Sequence, residues 1–508
     1  DPEKDQFNLI LTPDDLGGPV MNIRPWTDGR IFVSIDGGGM RIYEEKTGAL
    51  VKNAIMVKEF DFLTSNVADA MSDSFGNVWV GVYMKGMLMK PINQSAFEYV
   101  GQNSIAKCTI GRNSIFSIAS SVNSSIYKNG IWVAADNDGL YLISEDGTAS
   151  RHWTKSTNPE MPHAFTAVYD TGNSDVLLGT FYDGFWQLKG DRFSCLSKEI
   201  TRAFDTRPAA KENCYWIACI GDGFFYYDHS RGKSIQYTPH YDDEGGTDII
   251  GNPYVYSVHL VKDKLFIGTA DGLTVAYPDA EGIIKRKSTK MLGHSTVRYF
   301  YSAGGNTVWV ATNEGLIKLD AETLEMQTYT AKDGLPSNSI TSIISDGHGN
   351  LWIGTDYGLS RMNLKDGTFA NFFSEDGLQE NEFSRGAVAS QGGKLYFGGV
   401  VGISYFDVKS MQSWQSEGRN FRLRLVDVLV GGKVVHVGDM SGSYEMLTGL
   451  IDDCERVDLC HSDNHFTLEL GVLGMSNQHV TYEYSINNGK WLDQGGNNSR
   501  IIFDNLES

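Results

Sequence analysis

The apolar residues of this chain fall in short runs of three to five, most of which contain an aromatic residue, and glycine-rich polar turns separate the runs. In the clearest unit, the polar turn 346–350 precedes Leu351-Trp352-Ile353, and a second turn ends at Gly358 before the next apolar run. Runs this short, with turns on both sides, are typical of β-strands, whereas a helix would need a longer apolar stripe. The pattern therefore predicts an all-β fold.

The same unit recurs nine times along the chain. Its central strands are Ile31–Val33, Val78–Val80, Ile131–Val133, Val176–Leu178, Tyr215–Ile217, Leu265–Ile267, Val308–Val310, Leu351–Ile353 and Leu395–Phe397. The turn glycines that follow are Gly39, Gly86, Gly139, Gly184, Gly223, Gly272, Gly315, Gly358 and Gly402. The period of about 45 residues suits the four-stranded blade of a β-propeller. In such a blade we expect the large rings to pack between neighbouring sheets and the glycines to adopt positive φ.

The number of repeats bears on how the chain divides into domains. Nine repeats exceed the roughly four to eight blades of most propellers. The simplest division makes residues 103–411 a closed seven-bladed ring and residues 1–102 the last blades of a preceding propeller. A single ring of eight or nine blades is the alternative.

The last hundred or so residues, 412–508, lack the repeat and show alternating apolar and polar positions instead. The alternating segments are 421–430, 466–470, 482–486 and 501–503. Short alternating segments separated by turns predict an immunoglobulin-like β-sandwich. Because the sequence stops at Ser508, before a further strand that would complete the sheet, we expect this module to be truncated.

Several motifs resemble a known family of repeats. Those similar to the two-component-regulator propeller repeat are Asp333–Asn338, Gly349–Thr355 and Gly358–Arg361. Those similar to the last blade of that family are Asp376–Phe383, Tyr396–Gly399 and Gly402–Ile403. Tyr482, Tyr484 and Trp491 match the Tyr-rich immunoglobulin-like module that follows such propellers. The early repeats depart from the pattern, since Val82 and Ala135 stand where threonine is usual.

With these motifs, the chain resembles the extracytoplasmic sensor region of the hybrid two-component systems of glycan-degrading Bacteroidetes. The resemblance implies two seven-bladed propellers, the Tyr-rich module, a membrane helix, and then histidine kinase, receiver and DNA-binding parts. It also implies a periplasmic location, an oligosaccharide ligand, homodimerisation and a non-catalytic sensor region in a protein that regulates transcription. It does not specify which glycan is bound.

The charge balance narrows the choice of partners. The chain has 43 basic and 63 acidic side chains, which gives a net charge of −20. Such a surface repels phosphate backbones and anionic lipid head groups, so we expect no nucleic-acid binding by this region. Since the sequence has no apolar run of about 18 residues, we expect no part of it to span a bilayer, and the resemblance implies contact with a membrane only through a segment outside this chain.

The cysteines do not fix the compartment. The six are Cys108, Cys195, Cys214, Cys219, Cys454 and Cys460, and none of them forms a CxxC motif. Buried free thiols are the simpler expectation, and one or two disulfides are the alternative.

The sequence contains only weak indications of a catalytic site or a metal site. Acidic turn residues could supply a carboxylate pair for glycoside hydrolysis, namely Asp183, Asp222, Asp271 and Glu314. They recur at repeat positions, however, so solvated turn residues are the simpler interpretation. His461 and His465 have metal-chelating spacing only if they lie on a helix, and they precede an alternating strand without a third ligand. We therefore predict no catalytic residues, metal or cofactor, and a glycan-cleaving propeller or a protein-interaction scaffold remains the alternative.

An asparagine or histidine stands just before the inferred innermost strand of several blades. These residues are Asn66, Asn113, His163, Asn252, His294, Asn338 and Asn381. Turn formation is the ordinary interpretation, because asparagine tolerates left-handed backbone and bonds to its own loop. The functional interpretation is a ring of polar groups at the mouth of the channel that bonds to sugar hydroxyls.

Nearby aromatic and arginine residues extend this hypothesis. Possible stacking faces are Trp26, Phe165, Tyr254, Tyr256 and Phe383. Arg298 and Arg385 could meet an acidic sugar. The predicted ligand-binding set is His163, Asn252, Tyr254, Tyr256, Arg298, Asn338, Asn381 and Arg385.

Overall fold

The computed structural model describes residues 12, 16–26, 29–51, 66–73, 77–84, 86–90, 97–101, 110, 113–121, 130–145, 149–173, 175–239, 249–284, 289–416, 422–451, 456–473, 482–487, 489–493 and 499–504. The chain divides into two compact units, Ser95–Ser416 and the combination of Asp1–Gln94 with Glu417–Ser508. Antiparallel sheets dominate both units, so the all-β prediction is confirmed.

Two three-stranded antiparallel sheets lie in the first part of the chain. They consist of β1 (Val20–Trp26), β2 (Arg30–Ile35) and β3 (Gly39–Glu44), and of β4 (Val67–Ser72), β5 (Val78–Val82) and β6 (Gly86–Lys90). The two sheets pack together through the buried side chains of Phe32, Met40, Val67 and Val80. That they are the last blades of a preceding propeller stays a prediction.

Seven four-stranded antiparallel sheets, here called blades 1 to 7, make up the unit Ser95–Ser416. Their strands are β7 (Glu98–Val100), β8 (Ile115–Ser120), β9 (Gly130–Ala135), β10 (Gly139–Ser144), β11 (Ala149–Trp153), β12 (Phe165–Asp170), β13 (Asp175–Thr180), β14 (Phe185–Lys189), β15 (Arg192–Ser197), β16 (Ala203–Pro208), β17 (Cys214–Cys219), β18 (Gly223–Asp228), β19 (Lys233–Tyr237), β20 (Val255–Val261), β21 (Lys264–Thr269), β22 (Gly272–Ala276), β23 (Thr289–Met291), β24 (Val297–Tyr301), β25 (Thr307–Thr312), β26 (Leu316–Asp320), β27 (Met326–Tyr329), β28 (Ile340–Ser345), β29 (Asn350–Thr355), β30 (Leu359–Asn363), β31 (Phe369–Phe372), β32 (Phe383–Gln391), β33 (Lys394–Gly399) and β34 (Gly402–Asp407). Blades 1 to 6 use four consecutive strands each from β8 onward, and blade 7 consists of β32, β33, β34 and β7.

The blades close into a ring around their first strands. Each of these innermost strands contacts the innermost strands of both neighbouring blades, and β32 of blade 7 contacts β8 of blade 1. The predicted seven-bladed propeller is therefore confirmed, and among the described strands these seven sheets close the ring without an eighth or ninth.

The interfaces between neighbouring blades carry the hydrophobic core. Trp132 of blade 1 packs with Phe165 of blade 2, and the rings of Trp352 and Phe406 join blades 6 and 7 at a centroid distance of 4.4 Å. Trp132, Trp216 and Trp352 are among the largest fully buried side chains. The aromatic residue of the repeat thus packs between sheets, because the radial arrangement of blades places each sheet between two others.

A local hydrogen-bond cluster precedes the tryptophan strand in two repeats. The Asp346 carboxylate accepts hydrogen bonds from Asn350 Nδ2 at 2.7 Å and from Trp352 Nε1 at 3.4 Å. The same cluster recurs in Asp73, Asn77 and Trp79. It satisfies the indole N–H, which would otherwise be a buried unpaired donor.

The repeat glycines are required by both backbone and packing. Gly139 and Gly223 have φ of +86° and +76°. A Cβ atom at Gly139 would lie 2.1 Å from the carbonyl oxygen of Trp153, and one at Gly223 would lie 2.0 Å from that of Tyr237. Since these carbonyls belong to the fourth strand, a side chain in the turn would force the outer strand away from the sheet.

Ring closure uses a strand from before the first blade. Glu98–Val100 pairs antiparallel with β34, and Tyr405 Oη donates a hydrogen bond to the Glu98 carboxylate at 2.7 Å. The Phe97 ring lies 5.2 Å from Phe372 and 5.4 Å from Phe406. The ring therefore draws in residues that precede the boundary at residue 103, a position outside the described residues.

A helix, α1 (Val408–Ser416), follows β34, and 3-10 turns span Ala331–Asp333, Ser374–Asp376 and His461–Asp463. The C-terminal strands are β35 (Arg422–Val430), β36 (Lys433–Val434), β37 (Met440–Ser441), β38 (Tyr444–Glu445), β39 (Phe466–Leu473), β40 (Glu483–Tyr484), β41 (Leu492–Asp493) and β42 (Arg500–Phe503). They form one four-stranded sheet in the order β36-β35-β39-β42 and two two-stranded sheets. This arrangement does not confirm an immunoglobulin-like sandwich, which stays a prediction.

The cysteines that the structure describes are free. Cys214 and Cys219 are buried, whereas Cys195 is exposed and Cys460 is half-buried. Cys108 and Cys454 lie outside the described residues. Among the described ranges we find no helical segment with the length and hydropathy of a membrane span.

Replacing Phe97 by alanine in the intact chain should destabilise the ring by about 3–5 kcal/mol, the usual cost of deleting a buried aromatic side chain. Phe97→Leu should cost much less, because it leaves most of the apolar volume in place. Urea unfolding followed by tryptophan fluorescence measures both. Equal stability of Phe97→Ala and the unaltered chain would show that the ring closes without this segment.

Candidate functional site

The innermost strands share a β-bulge close to their beginning. In β8, Ile115 pairs with Ala135 and Ser117 pairs with Ala134, so Phe116 has no partner in the ladder. The corresponding extra residues of the next five blades are Thr166, Phe204, Tyr256, Arg298 and Thr341. In β32 the irregularity is larger and spans the residues between Phe383 and Val388. Bulges of this kind break the pairing and redirect a side chain, often next to a functional site.

A cavity of about 530 Å³ lies inside the ring and is lined by residues of all seven innermost strands. Four of the bulge residues, Phe116, Phe204, Tyr256 and Arg298, line it together with Arg385 from the irregular part of β32. The remaining two bulge residues, Thr166 and Thr341, are buried in the sheets. The cavity has the size of a small-molecule site, for which about 300–1,000 Å³ is usual.

One arginine of this cavity is paired with a carboxylate. Arg207 Nε donates to Asp205 Oδ1 at 2.9 Å, and Ser257 Oγ donates to the other carboxylate oxygen at 2.6 Å. Burial alone would lower the pKa of Arg207, but the nearby Asp205 and Tyr299 raise it above its usual value. The positive charge of Arg207 is therefore balanced by the carboxylate of Asp205.

Arg385 is held by aromatic rings instead. Its guanidinium carbon lies 4.4 Å from the ring centroid of Tyr256 and 5.2 Å from that of Phe204. The pKa of Arg385 is lowered to about 10, chiefly by burial and also by the positive charge of Arg298, while Tyr256 and Asp205 act in the opposite direction. The guanidinium is therefore charged at neutral pH although its surroundings disfavour the charge.

Arg298 is the third arginine in the cavity. Its Nη1 donates to Ser339 Oγ at 2.5 Å, a neutral acceptor in the loop before β28. Among the described residues, the ion pairs include neither Arg298 nor Arg385. The cavity thus contains two cationic groups without a carboxylate partner.

His259 lies in the same innermost strand as Tyr256 and contributes no charge. Burial, and then the positive charge of Arg207, lower the pKa of His259 to about 3. Its imidazole stacks near Phe300 at a centroid distance of 6.5 Å. We therefore expect a neutral imidazole here at every physiological pH.

A series of aromatic rings leads from the cavity to an exposed turn. Phe116 and Phe204 are 6.2 Å apart, Phe204 and Phe181 are 5.7 Å apart, and Phe181 and Tyr182 are 4.7 Å apart. Tyr182, in the turn after β13, is 76% exposed. Aromatic faces in such a series can stack against the apolar face of a sugar.

The structure brings together three of the predicted ligand-binding residues, Tyr256, Arg298 and Arg385. The other five are not in the cavity lining but in the loops that lead into the innermost strands, namely His163, Asn252, Tyr254, Asn338 and Asn381. Whether these loop residues contact a ligand stays a prediction.

The loop residues have identifiable structural roles. Asn338 Oδ1 accepts a hydrogen bond from Ala331 N at 2.7 Å, and Asn381 Oδ1 accepts one from Ser374 N at 2.7 Å. Asn252 Oδ1 likewise accepts from the backbone N–H of Tyr254, whose side chain is 48% exposed. His163 N donates to Asp183 at 2.8 Å. Each asparagine therefore holds the conformation of its own loop, as turn formation predicts.

Three of the acidic turn residues have polar partners in neighbouring segments. Arg202 pairs with Asp222 at 2.8 Å, and Lys290 pairs with Asp271 at 2.8 Å. Glu314 accepts a hydrogen bond from Ser295 Oγ. Among the described residues we find no group of three or more side chains placed to hold a metal ion.

Sequence reasoning missed Phe116, Phe204, Tyr299 and Tyr182. A signal was present for the bulge residues, because several follow the loop asparagine or histidine by three or four positions. Phe116 follows Asn113, and Arg298 follows His294, at these spacings. Aligning the repeats on the loop residue would therefore have marked the positions that face the channel.

Comparisons with known proteins agree with this architecture. Residues 334–357 match the family model described as two component regulator propeller. Among solved structures, the extracellular domain of a hybrid two-component system of B. thetaiotaomicron is 18% identical with a TM-score of 0.69, over 96% of this chain and 64% of that one. A second such domain from the same organism is 14% identical with a TM-score of 0.50, over 96% and 65%. No curated protein matches the chain.

These likenesses confirm the resemblance that the sequence motifs indicated, to the propellers of hybrid two-component systems. Because the sequence identities to these solved structures are low, the likeness establishes the fold alone. This chain spans less than two thirds of the length of either solved domain.

Asn338→Ala should lower the free energy of unfolding by about 1 kcal/mol, because the Ala331 N–H loses its acceptor. Asn338→Asp should retain most of the stability, since a carboxylate oxygen can accept the same bond. Thermal and urea unfolding of both variants measure the difference. Unchanged stability of Asn338→Ala would assign this side chain a role outside its loop.

Arg385→Met should raise the unfolding free energy of the unliganded protein, by an amount on the order of 1 kcal/mol. The folded-state pKa lies below the unfolded one, so the charge destabilises the fold at neutral pH, and this cost disappears as pH rises above about 10. Methionine keeps the packing against Tyr256 and Phe204. Urea titrations at pH 7 measure the effect.

Arg207→Met is the matched control in the same cavity. It should lower stability by about 3–5 kcal/mol, because it leaves the Asp205 carboxylate without its partner. If both variants destabilised the protein equally, Arg385 would be a structural residue.

Proposed function

We propose that this chain is the ligand-sensing region of a hybrid two-component regulator and that it binds an oligosaccharide in the channel cavity of the seven-bladed ring. The observation that carries the proposal is this cavity of about 530 Å³, which the innermost strands line with aromatic rings and arginine side chains. Sugars offer apolar faces for stacking and hydroxyl groups for charged donors, so this lining suits them.

The fold likeness supports a sensing role on the extracytoplasmic side of the inner membrane. Two of the solved domains to which the chain is similar are extracellular domains of hybrid two-component systems. A histidine kinase, a receiver and a DNA-binding part would then lie outside this chain and regulate transcription. No nucleic-acid contact is proposed for this region, which carries a net charge of −20.

The states of the acidic groups favour binding over catalysis. A general acid in glycoside hydrolysis needs a carboxyl whose pKa is raised. The hydrogen bond from Lys290 lowers the pKa of Asp271, and although desolvation opposes this shift, the charge of Lys290 and the contacts of His294 add to it. Asp222 is already bound to Arg202 and Thr201. These contacts support a non-catalytic sensor rather than a glycan-cleaving propeller.

Signal transfer would follow from a shift between two states of the protein. A ligand that binds one conformation or one dimer arrangement more tightly raises its population, without any chemical step. We propose a homodimer as the signalling form, in keeping with the resemblance, and a membrane segment outside this chain as the connection to the kinase.

Calorimetric titration of the purified protein with a panel of plant, host and fungal oligosaccharides tests the proposal. At least one should bind, and Tyr256→Ala should weaken its binding about twofold to tenfold, since an aromatic contact contributes about 0.5–1.5 kcal/mol. Tyr256→Phe should bind nearly as well, because it keeps the ring.

Tyr444→Ala is the control, as this exposed tyrosine lies in the C-terminal sheets. Chromatography of the sugar after incubation with the protein distinguishes a sensor from an enzyme. Cleavage products would show that the protein is an enzyme and would contradict the sensing role. Normal binding by Tyr256→Ala would place the ligand outside the cavity.

A further inference from the structure

The channel cavity contains an excess of positive charge in a chain that is otherwise acidic. Its charged lining residues are Asp205, Arg207, Arg298, Asp346 and Arg385. Asp205 neutralises Arg207 at 2.9 Å. Asp346 accepts the hydrogen bonds that hold its own turn and the neighbouring strand. Arg298 and Arg385 remain as cations whose described hydrogen-bond and aromatic contacts are all neutral.

Two such groups in one cavity oppose each other, since each like charge raises the cost of the other. An anion that enters the cavity would explain why both arginines are present in this confined site. The anion would offset the cost of desolvating the two guanidinium groups and the repulsion between them. We infer that Arg298 and Arg385 bind an anionic group, a carboxylate or a sulfate, on the oligosaccharide that occupies the channel.

The chemistry of the two side chains fits this class of ligand. A guanidinium presents planar donors that match the oxygen atoms of a carboxylate or sulfate. Tyr256 and Phe204 contact the guanidinium of Arg385 and orient it, while Ser339 orients Arg298. Phe116 lies beside Phe204 in the cavity, and Phe181 and Tyr182 continue from Phe204 toward solvent, so these rings offer faces to neutral sugar units. The inference deepens the proposed function and rests on it for the saccharide part of the ligand.

The first experiment compares matched pairs of oligosaccharides by calorimetry. Oligogalacturonates are titrated beside their methyl esters, and sulfated glycosaminoglycan fragments beside their desulfated forms. The acidic member of at least one pair should bind about tenfold to hundredfold more tightly, as expected for charge-assisted hydrogen bonds. This preference should shrink to near unity in Arg298→Gln and Arg385→Gln. Arg385→Lys, which keeps the charge but not the planar donors, should retain part of it.

Arg192→Gln is the matched control, because it removes the same charge from an exposed position on an outer strand. It should leave the preference for the acidic sugar unchanged.

The second experiment uses inorganic sulfate as the probe, in thermal melts against sodium chloride of equal ionic strength. Sulfate should raise the melting temperature of the unaltered protein and of Arg192→Gln more than that of Arg298→Gln or Arg385→Gln. General salting-out affects all four proteins alike, so only the difference counts.

The outcomes separate the two proposals. If neutral sugars bind as well as acidic ones and Tyr256→Ala weakens them, the sensing site stands and the anion site is overturned. If sulfate protects only proteins with both arginines while no oligosaccharide binds, the anion site stands and the saccharide ligand is overturned. An acid preference that survives both glutamine variants, or the absence of any sulfate difference and any sugar binding, would overturn the inference.

Discussion

Each sheet of the ring buries both of its faces against neighbouring sheets, and the rest of the structure depends on this packing. Trp132, Trp216 and Trp352 fill the interfaces, and the turn glycines let the outer strands approach closely enough to cover them. With both faces buried, a sheet has only its edges left for contact with solvent or ligand. Seven inner edges therefore meet at the axis and enclose a cavity.

An inner edge is a row of backbone groups, and a regular strand would present little else to the axis. The bulge at the second residue interrupts the ladder and turns Phe116, Phe204, Tyr256 and Arg298 toward the cavity. The same device in a repeated position lets the lining vary while the sheets remain alike. The bulge residues that line the cavity are therefore different from the residues that hold the blades together.

The cavity also shows a conflict between stability and binding. Arg207 has a carboxylate partner and belongs to the folded core of the site, whereas Arg385 rests on aromatic rings and carries a disfavoured charge. Groups left unsatisfied in this way are common where a ligand completes the interactions. The loop asparagines Asn338 and Asn381 differ from Arg385, because their side-chain oxygens already accept hydrogen bonds from backbone N–H groups.

The all-β class, the repeat and its blade length could be read from the sequence, because short aromatic strands and glycine turns such as Leu351–Ile353 and Gly358 are local features. Tyr256, Arg298 and Arg385, which line the cavity, could also be singled out from the sequence, since they lie near the loop residues of the repeat. Closure by Glu98–Val100 and the contact of Phe204 with Arg385 were decided only by the tertiary structure. Both join residues far apart in the chain, and local patterning carries no information about which distant edge or ring a residue will meet.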